Sequence, residues 1–200
     1  AAAAETVWLF GLHAVRDALK NPMREKLRLV LTRNAADRLA EDLGGDHPEP
    51  EIADARKFPV PLDPSSVHQG AAMEVKPLNW GSVVDVCRVA NGQAPLVVAL
   101  DRVTDPHNVG AILRSAEGFG ARAVIATARH AAPETGALAK TACGALERQP
   151  YLRVRNLSDS LKELRGIGYD ILGLDGEAVN ELGPIAESRR ATPTVLVMGA

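Results

Sequence analysis

The sequence predicts an α/β protein, with a small N-terminal α/β domain followed by a domain built on a parallel sheet. Three observations carry this. Helix-like and strand-like segments alternate along the chain, the pattern of α/β architecture. From Leu96 onward the strands are apolar throughout, as in a parallel sheet covered on both faces. Between the two regions, Asn79, Gly81, Asn91, Gly92 and Pro95 supply the turn chemistry of a linker. The expected domains are 5–76, a linker over 77–94, and 95–200.

Each element has its own signal. Gly11 to Lys20 reads as a helix with Leu12, Val15 and Leu19 on one face, stopped by Asn21-Pro22. Leu27 to Thr32 is a strand, and Ala35 to Leu43 a helix ended by Gly44-Gly45. The stretch from Asp46 to Ser66 is rich in Pro, Asp and Glu and predicts loops around one short strand. Ala71 to Lys76 follows Gly70 as a strand, and the linker carries one apolar segment, Val83 to Val89. In the second domain the expected strands are Leu96–Asp101, Ala121–Ala126, Tyr151–Val154, Tyr169–Leu174 and Thr194–Met198. The expected helices there are Val109–Phe119, Pro133–Thr141 and Ser158–Arg165. Ligands of such a sheet bind at the carboxyl ends of its strands, here Asp101, Thr127, Leu174-Asp175-Gly176 and Gly199.

Composition narrows the class. Of 200 residues, 46% are hydrophobic and 24% charged, which excludes disordered and collagen-like chains. No apolar run approaches the roughly 20 residues of a membrane span. Ala1–Ala4 lacks the basic and apolar regions of a signal peptide and is left out of the fold reading. Cys87 and Cys143 stand far apart without a C-x-x-C, so neither a metal cage nor a disulfide framework is expected, and a reducing cytoplasm is. A net charge of −2 is not that of an obvious nucleic-acid binder, although it leaves room for a local basic patch.

The densest chemistry lies in Asp101-Arg102-Val103-Thr104-Asp105-Pro106-His107-Asn108-Val109-Gly110-Ala111-Ile112-Leu113-Arg114-Ser115-Ala116-Glu117, which follows a buried strand and opens a helix. On a helical wheel Ile112, Leu113, Ala116 and Phe119 form the buried stripe, and Arg114 points the other way. Arg114 and Asn108 thus stand where a helix start meets phosphate or ribose. The plain alternative is that Asn108 is only an N-cap and Arg114 a solvated arginine paired with Glu117.

Other motifs are absent or out of place. Gly118-Phe119-Gly120-Ala121-Arg122-Ala123 resembles a dinucleotide fingerprint but lies between a helix and a strand, the reverse of the required order. There is no Walker A and no G-x-S-x-G, and the five histidines show no ligand spacing, so no metal is expected. Cys143 reads as a small packing residue rather than a nucleophile.

Five segments together carry a family resemblance. Leu100 to Arg114 resembles the first motif of the SpoU/TrmH (SPOUT) RNA 2'-O-ribose methyltransferases, and within them the bacterial 23S rRNA guanosine-2'-O-methyltransferases. Phe10-Gly11-Leu12-His13-Ala14-Val15 and Val67-His68-Gln69-Gly70 resemble the hallmarks of that family's L30e-like substrate-binding domain. Lys140-Thr141-Ala142-Cys143-Gly144-Ala145-Leu146-Glu147 and Val195-Leu196-Val197-Met198-Gly199-Ala200 resemble the next signature and the opening of the second motif. The family's second motif runs on to a glutamate and its third carries a serine and an asparagine. Those segments form a trefoil knot, an exception to unknotted topology, which holds S-adenosylmethionine. The sequence given stops at Ala200, inside the second motif.

The resemblance implies S-adenosylmethionine-dependent methylation of a ribose 2'-hydroxyl in 23S rRNA or, failing that, tRNA. It implies Asn108 and Arg114 as catalytic residues and a homodimer through the second domain, and it sets no membrane partner. The cofactor is expected along the strand ends, at Leu174, Asp175, Gly176 and Gly199, although these glycines could merely end strands. The first domain would choose the RNA. Up to Lys76 it holds ten Lys/Arg against twelve Asp/Glu, so its best phosphate-binding patch is local: Lys20, Arg24, Lys26 and Arg28. A solvated surface is the plain alternative for that patch. Two other functions compete: a non-catalytic RNA-binding protein with a degenerate methyltransferase domain, and a nucleotide-dependent oxidoreductase, which the missing glycine fingerprint disfavours.

Overall fold

The computed structural model describes residues 5–130 and 134–199. The expected helix start at Pro133, the last residue of the second motif (Ala200) and the Ala1–Ala4 tract lie outside them. In chain order the first elements are β1 (Val7–Phe10), α1 (Leu12–Lys20), β2 (Lys26–Leu31), α2 (Arg33–Arg38), β3 (Glu51–Ile52), β4 (Ala71–Val75) and α3 (Val83–Val86). There follow β5 (Leu96–Asp101), α4 (Pro106–Gly118), β6 (Ala123–Thr127), α5 (Gly136–Thr141), β7 (Tyr151–Val154), α6 (Leu157–Gly166), β8 (Asp170–Gly173), α7 (Leu182–Ser188) and β9 (Thr194–Gly199). Two compact units result, one made by the chain up to Asn79 together with Glu134–Arg148, the other by the remainder.

The first unit holds a four-stranded sheet in the order β1-β4-β2-β3, antiparallel except for β2 with β3. Strand β1, unforeseen in the sequence reading, runs from Val7 to Phe10 and pairs with β4 from Val7 opposite Val75 to Phe10 opposite Ala72. Helix α1 buries Leu12, Ala14, Val15, Ala18 and Leu19, as its apolar spacing requires. Helix α2 is shorter than expected, capped by the Thr32 hydroxyl and followed by the 3-10 turn Ala40–Asp42. Glu134–Arg148, expected in the second domain, belongs to this first unit. Its helix α5 buries Leu138 and Ala139 and packs on β1.

The second unit is a parallel sheet in the order β7-β6-β5-β9-β8. Its strands are the apolar runs of the sequence, and Val97, Ala99, Ala123, Ile125 and Val195 share one core with Cys87 of the linker and Leu164 of α6. The Tyr169 hydroxyl donates to the Cys87 carbonyl at 2.8 Å, so this buried phenol is satisfied. Burial pushes the Cys87 thiol up to about 11, which makes it a packing group rather than a nucleophile. Among the described residues α7 had no counterpart in the sequence reading, because Gly183-Pro184 inside it reads as a turn.

Candidate active site

Strand order sets the site. From β5 the chain proceeds through α4 to β6 on one side, whereas β9 fills the other side, so the order reverses between β5 and β9. That is the switch point of an open α/β sheet, where the crevice at the carboxyl ends takes a ligand. Asp101 is the register partner of Gly199 across it.

The loop from Arg102 to Asp105 leads into α4. Asp105 is the N-cap, its carboxylate accepting from the His107 amide at 3.1 Å, and Pro106 holds the first helical position. The cap is therefore Asp105 and not Asn108, because proline's fixed φ starts the helix at Pro106 rather than at Val109. Asn108 lies in the first turn, exposed. Arg114 is also exposed, and among the described residues neither has a hydrogen-bond or ion-pair partner. Six residues of helix separate them, about 9 Å along the axis and about 120° around it. The buried stripe is Val109, Gly110, Leu113 and Ala116. Phe119, expected in that stripe, is the C-cap and 85% exposed, since the helix ends before its side chain can turn inward.

The candidate cofactor residues fall into two places. Leu174, Asp175 and Gly176 line a hollow of about 360 Å³ just past β8, with Leu172, Leu182 and Ile185 as its apolar wall. Gly199 ends β9, one strand nearer the centre of the sheet. A Cβ at Gly173, Gly176 or Gly199 would meet nothing within 4 Å, so the backbone at these strand ends lies open to a ligand.

The basic patch expected in the first unit is not free. Arg24 is a correction: it is 2% exposed and cannot reach a phosphate. Its guanidinium lies between Glu134 and Glu147, donates to the Lys76 carbonyl at 2.8 Å, and meets Glu147 Oε1 at 2.6 Å. Burial opposes the Arg24 charge, yet hydrogen bonds and charges from the two glutamates outweigh it and raise its pKa. Burial pushes the Glu134 carboxyl up against the pull of Arg24. Lys20 pairs with Asp42 at 3.0 Å, Lys26 donates to the Asn21 carbonyl at 3.0 Å, and Arg28 forks onto Glu51 at 3.0 and 2.9 Å. The charge of these four residues is thus spent on carboxylates and carbonyls of the same unit.

The two N-terminal motifs meet. Gln69 Oε1 accepts from the Leu12 amide at 3.0 Å and closes the start of α1, and the Gly11 amide donates to the Ala71 carbonyl at 3.0 Å. A Cβ at Gly70, whose φ is +76°, would overlap the Thr32 hydroxyl, so the turn requires glycine. Among the described residues the non-glycine residues with positive φ are Gln69, Arg102 and Cys143. Each lies inside a signature segment, and such backbone strain concentrates at functional sites. Cys143, expected as packing, is exposed.

The family model for the SpoU rRNA Methylase family matches residues 95–200. The chain belongs to the SpoU family. It is 37% identical over 202 residues to the 23S rRNA (guanosine-2'-O-)-methyltransferase RlmB of Photobacterium profundum, covering 96% of this chain and 79% of that one. To the protein of the same name from Haemophilus influenzae it is 35% identical over 199 residues, with the same coverage. In fold it is similar to the SpoU methyltransferase AviRb from Streptomyces viridochromogenes, solved in complex with AdoMet, with a TM-score of 0.73 at 20% identity over 97% of this chain and 73% of that one. The SpoU match spans β5 to β9 and includes both Asn108 and Arg114.

Proposed function

We propose that this SpoU-family chain transfers a methyl group from S-adenosylmethionine to the 2'-hydroxyl of a guanosine in 23S rRNA. The observation that carries the proposal is the likeness, over 96% of this chain, to proteins named for that activity, and an exposed arginine and asparagine on the helix that follows β5 support it. S-adenosylmethionine supplies an activated methyl on a sulfonium. The hollow past β8 suits it: apolar side chains for a flat ring, open backbone at Gly173 and Gly176, and the Asp175 carboxylate for hydroxyl or cationic groups. Its volume lies within the range of small-molecule sites.

Catalysis here is chiefly orientation of the hydroxyl against the methyl. A guanidinium, with a pKa above about 12, does not abstract the proton. Arg114 clamps a phosphate oxygen and polarises the 2'-hydroxyl, using the forked donors that suit phosphate. Asn108, on a different side of α4, orients the nucleotide through another atom. The reaction belongs in the cytoplasm with a homodimer as the working unit, readings that rest on the family resemblance. No helix among the described residues is long and apolar enough to cross a membrane.

The test is mass mapping of 2'-O-methylation in RNA from cells lacking the gene, with the purified chain added back to their 23S rRNA. The expected result is the loss of one 2'-O-methylguanosine from 23S rRNA and its restoration. A loss confined to tRNA moves the substrate, and unchanged methylation in both overturns the proposal.

A further inference from the structure

We propose that the RNA backbone is gripped along the carboxyl edge of the parallel sheet, by Arg102, Arg129 and Arg155 beside Arg114, and not by Lys20, Arg24, Lys26 and Arg28 of the first unit. This rests on the function proposed above and names the surface that holds its substrate. Thr127 and Val154 are register partners at the ends of β6 and β7, and Leu100, one residue before the end of β5, is the register partner of Ala126. Arg102 and Arg155 each follow a strand end directly, and Arg129 follows by two residues. With adjacent strands about 4.8 Å apart, the outer two strand ends stand about 10 Å from one another. The Ala128 amide donates to the Val154 carbonyl at 2.7 Å, tying the loop that carries Arg129 to β7.

All four arginines are exposed, and among the described residues none has an ion-pair or hydrogen-bond partner. The arginines at the opposite, amino end of the same unit behave differently. Arg122 donates to the Arg88 carbonyl and to Gln93, Arg88 pairs with Asp85, Arg189 with Asp170 and Arg190 with Glu187. Arg165 is also unpaired, but it lies in the last turn of α6, where a cation suits the helix dipole. Asp101 and Asp105 flank Arg102 in the chain and Glu117 follows Arg114 by three residues, and Asp105 serves as the cap of α4. Arg102 is held in left-handed backbone, at φ +59°. Three unpaired guanidiniums at one edge, with Arg114 about two turns along α4, form an anion-binding row whose chemistry fits a phosphodiester chain. The acidic side of that edge, with Asp175, lies at β8, where the methyl donor is placed.

The test uses the full chain and a 23S rRNA transcript. Arg129→Ala/Arg155→Ala is expected to weaken RNA binding about tenfold or more, since each loses a charge-assisted contact. The slope of log affinity against log salt should flatten by about 1.4, at about 0.7 per lost phosphate contact on single-stranded RNA. At saturating RNA, kcat holds while KM for RNA rises, and Arg129→Lys/Arg155→Lys keeps most of the affinity. Lys20→Ala/Lys26→Ala should bind as wild type. Wild-type affinity and salt slope in the Arg129→Ala/Arg155→Ala chain overturn the row alone. A wild-type chain that does not bind the transcript overturns the proposed function and the row together.

Discussion

Arg114 and Arg24 are the same side chain put to opposite uses. Arg114 stands on the outside of α4 with no internal partner, so its removal should cost chemistry and not stability. Arg114→Ala is expected to lower kcat by about a hundredfold or more, within the range for a positioned polar group, while the unfolding free energy stays within about 0.5 kcal/mol. Single-turnover methylation with denaturant unfolding checks both; near-normal methylation removes Arg114 from the mechanism. Arg24 is buried between Glu134 and Glu147. Glu147→Ala leaves its charge half-compensated and is expected to cost about 3–5 kcal/mol, read by urea denaturation. His47 behaves differently again. Its Nε2 faces the Leu43 carbonyl at 2.9 Å and its Nδ1 the Pro48 carbonyl at 2.8 Å, so two acceptors require two donors and favour the imidazolium. Those two bonds hold its pKa above the usual imidazole range, helped by Glu49 and opposed by partial burial and Lys26. A raised folded-state pKa adds stability below the ordinary value of about 6.5, and that stability is lost as pH rises through the raised value. His47→Ala should therefore destabilise the first unit more at about pH 5 than at about pH 9, as measured by paired denaturation curves. Equal losses at both pH values would show that no proton is held there.

At the scale of elements, the second unit was legible because its central strands are largely apolar and its helices periodic. The region between Leu96 and Val154 follows its expectation strand by strand. Misreadings have local causes. Strand β1 is four residues long and runs directly into Gly11, so it is too short to show a period of its own, although Val7-Trp8-Leu9-Phe10 is rich in strand formers. The start of α4 was misplaced because Pro106 reads as a breaker when it is in fact a first-turn residue. The fate of Arg24 was invisible, since its partner Glu147 is 123 residues away and no local pattern signals a pairing at that separation. Gly136 shows how packing overrides propensity. Alanine there would favour the helix by up to about 1 kcal/mol. Its Cβ, however, would overlap the Trp8 carbonyl oxygen and the Phe10 ring. Overpacking of that kind costs about 1–3 kcal/mol, so Gly136→Ala is expected to lower stability, as a thermal melt would show.

For the molecule as a whole, sequence order and spatial order disagree where it matters most. The candidate site was legible as a motif: the segment that holds Asn108 and Arg114 runs from the end of β5 into α4, the helix that follows a switch-point strand. Its RNA-facing surface was not, because whether a charge is free depends on partners that folding alone brings near. Strand β9 lies between β5 and β8, and among the described residues β8 pairs with no other strand. A ribosome therefore delivers the wedge of this sheet after the strands it joins. Until residues 194–199 emerge, β8 has no partner among the described strands and the crevice beside β5 has one wall. Assembly of that crevice thus waits for β9 to leave the ribosome.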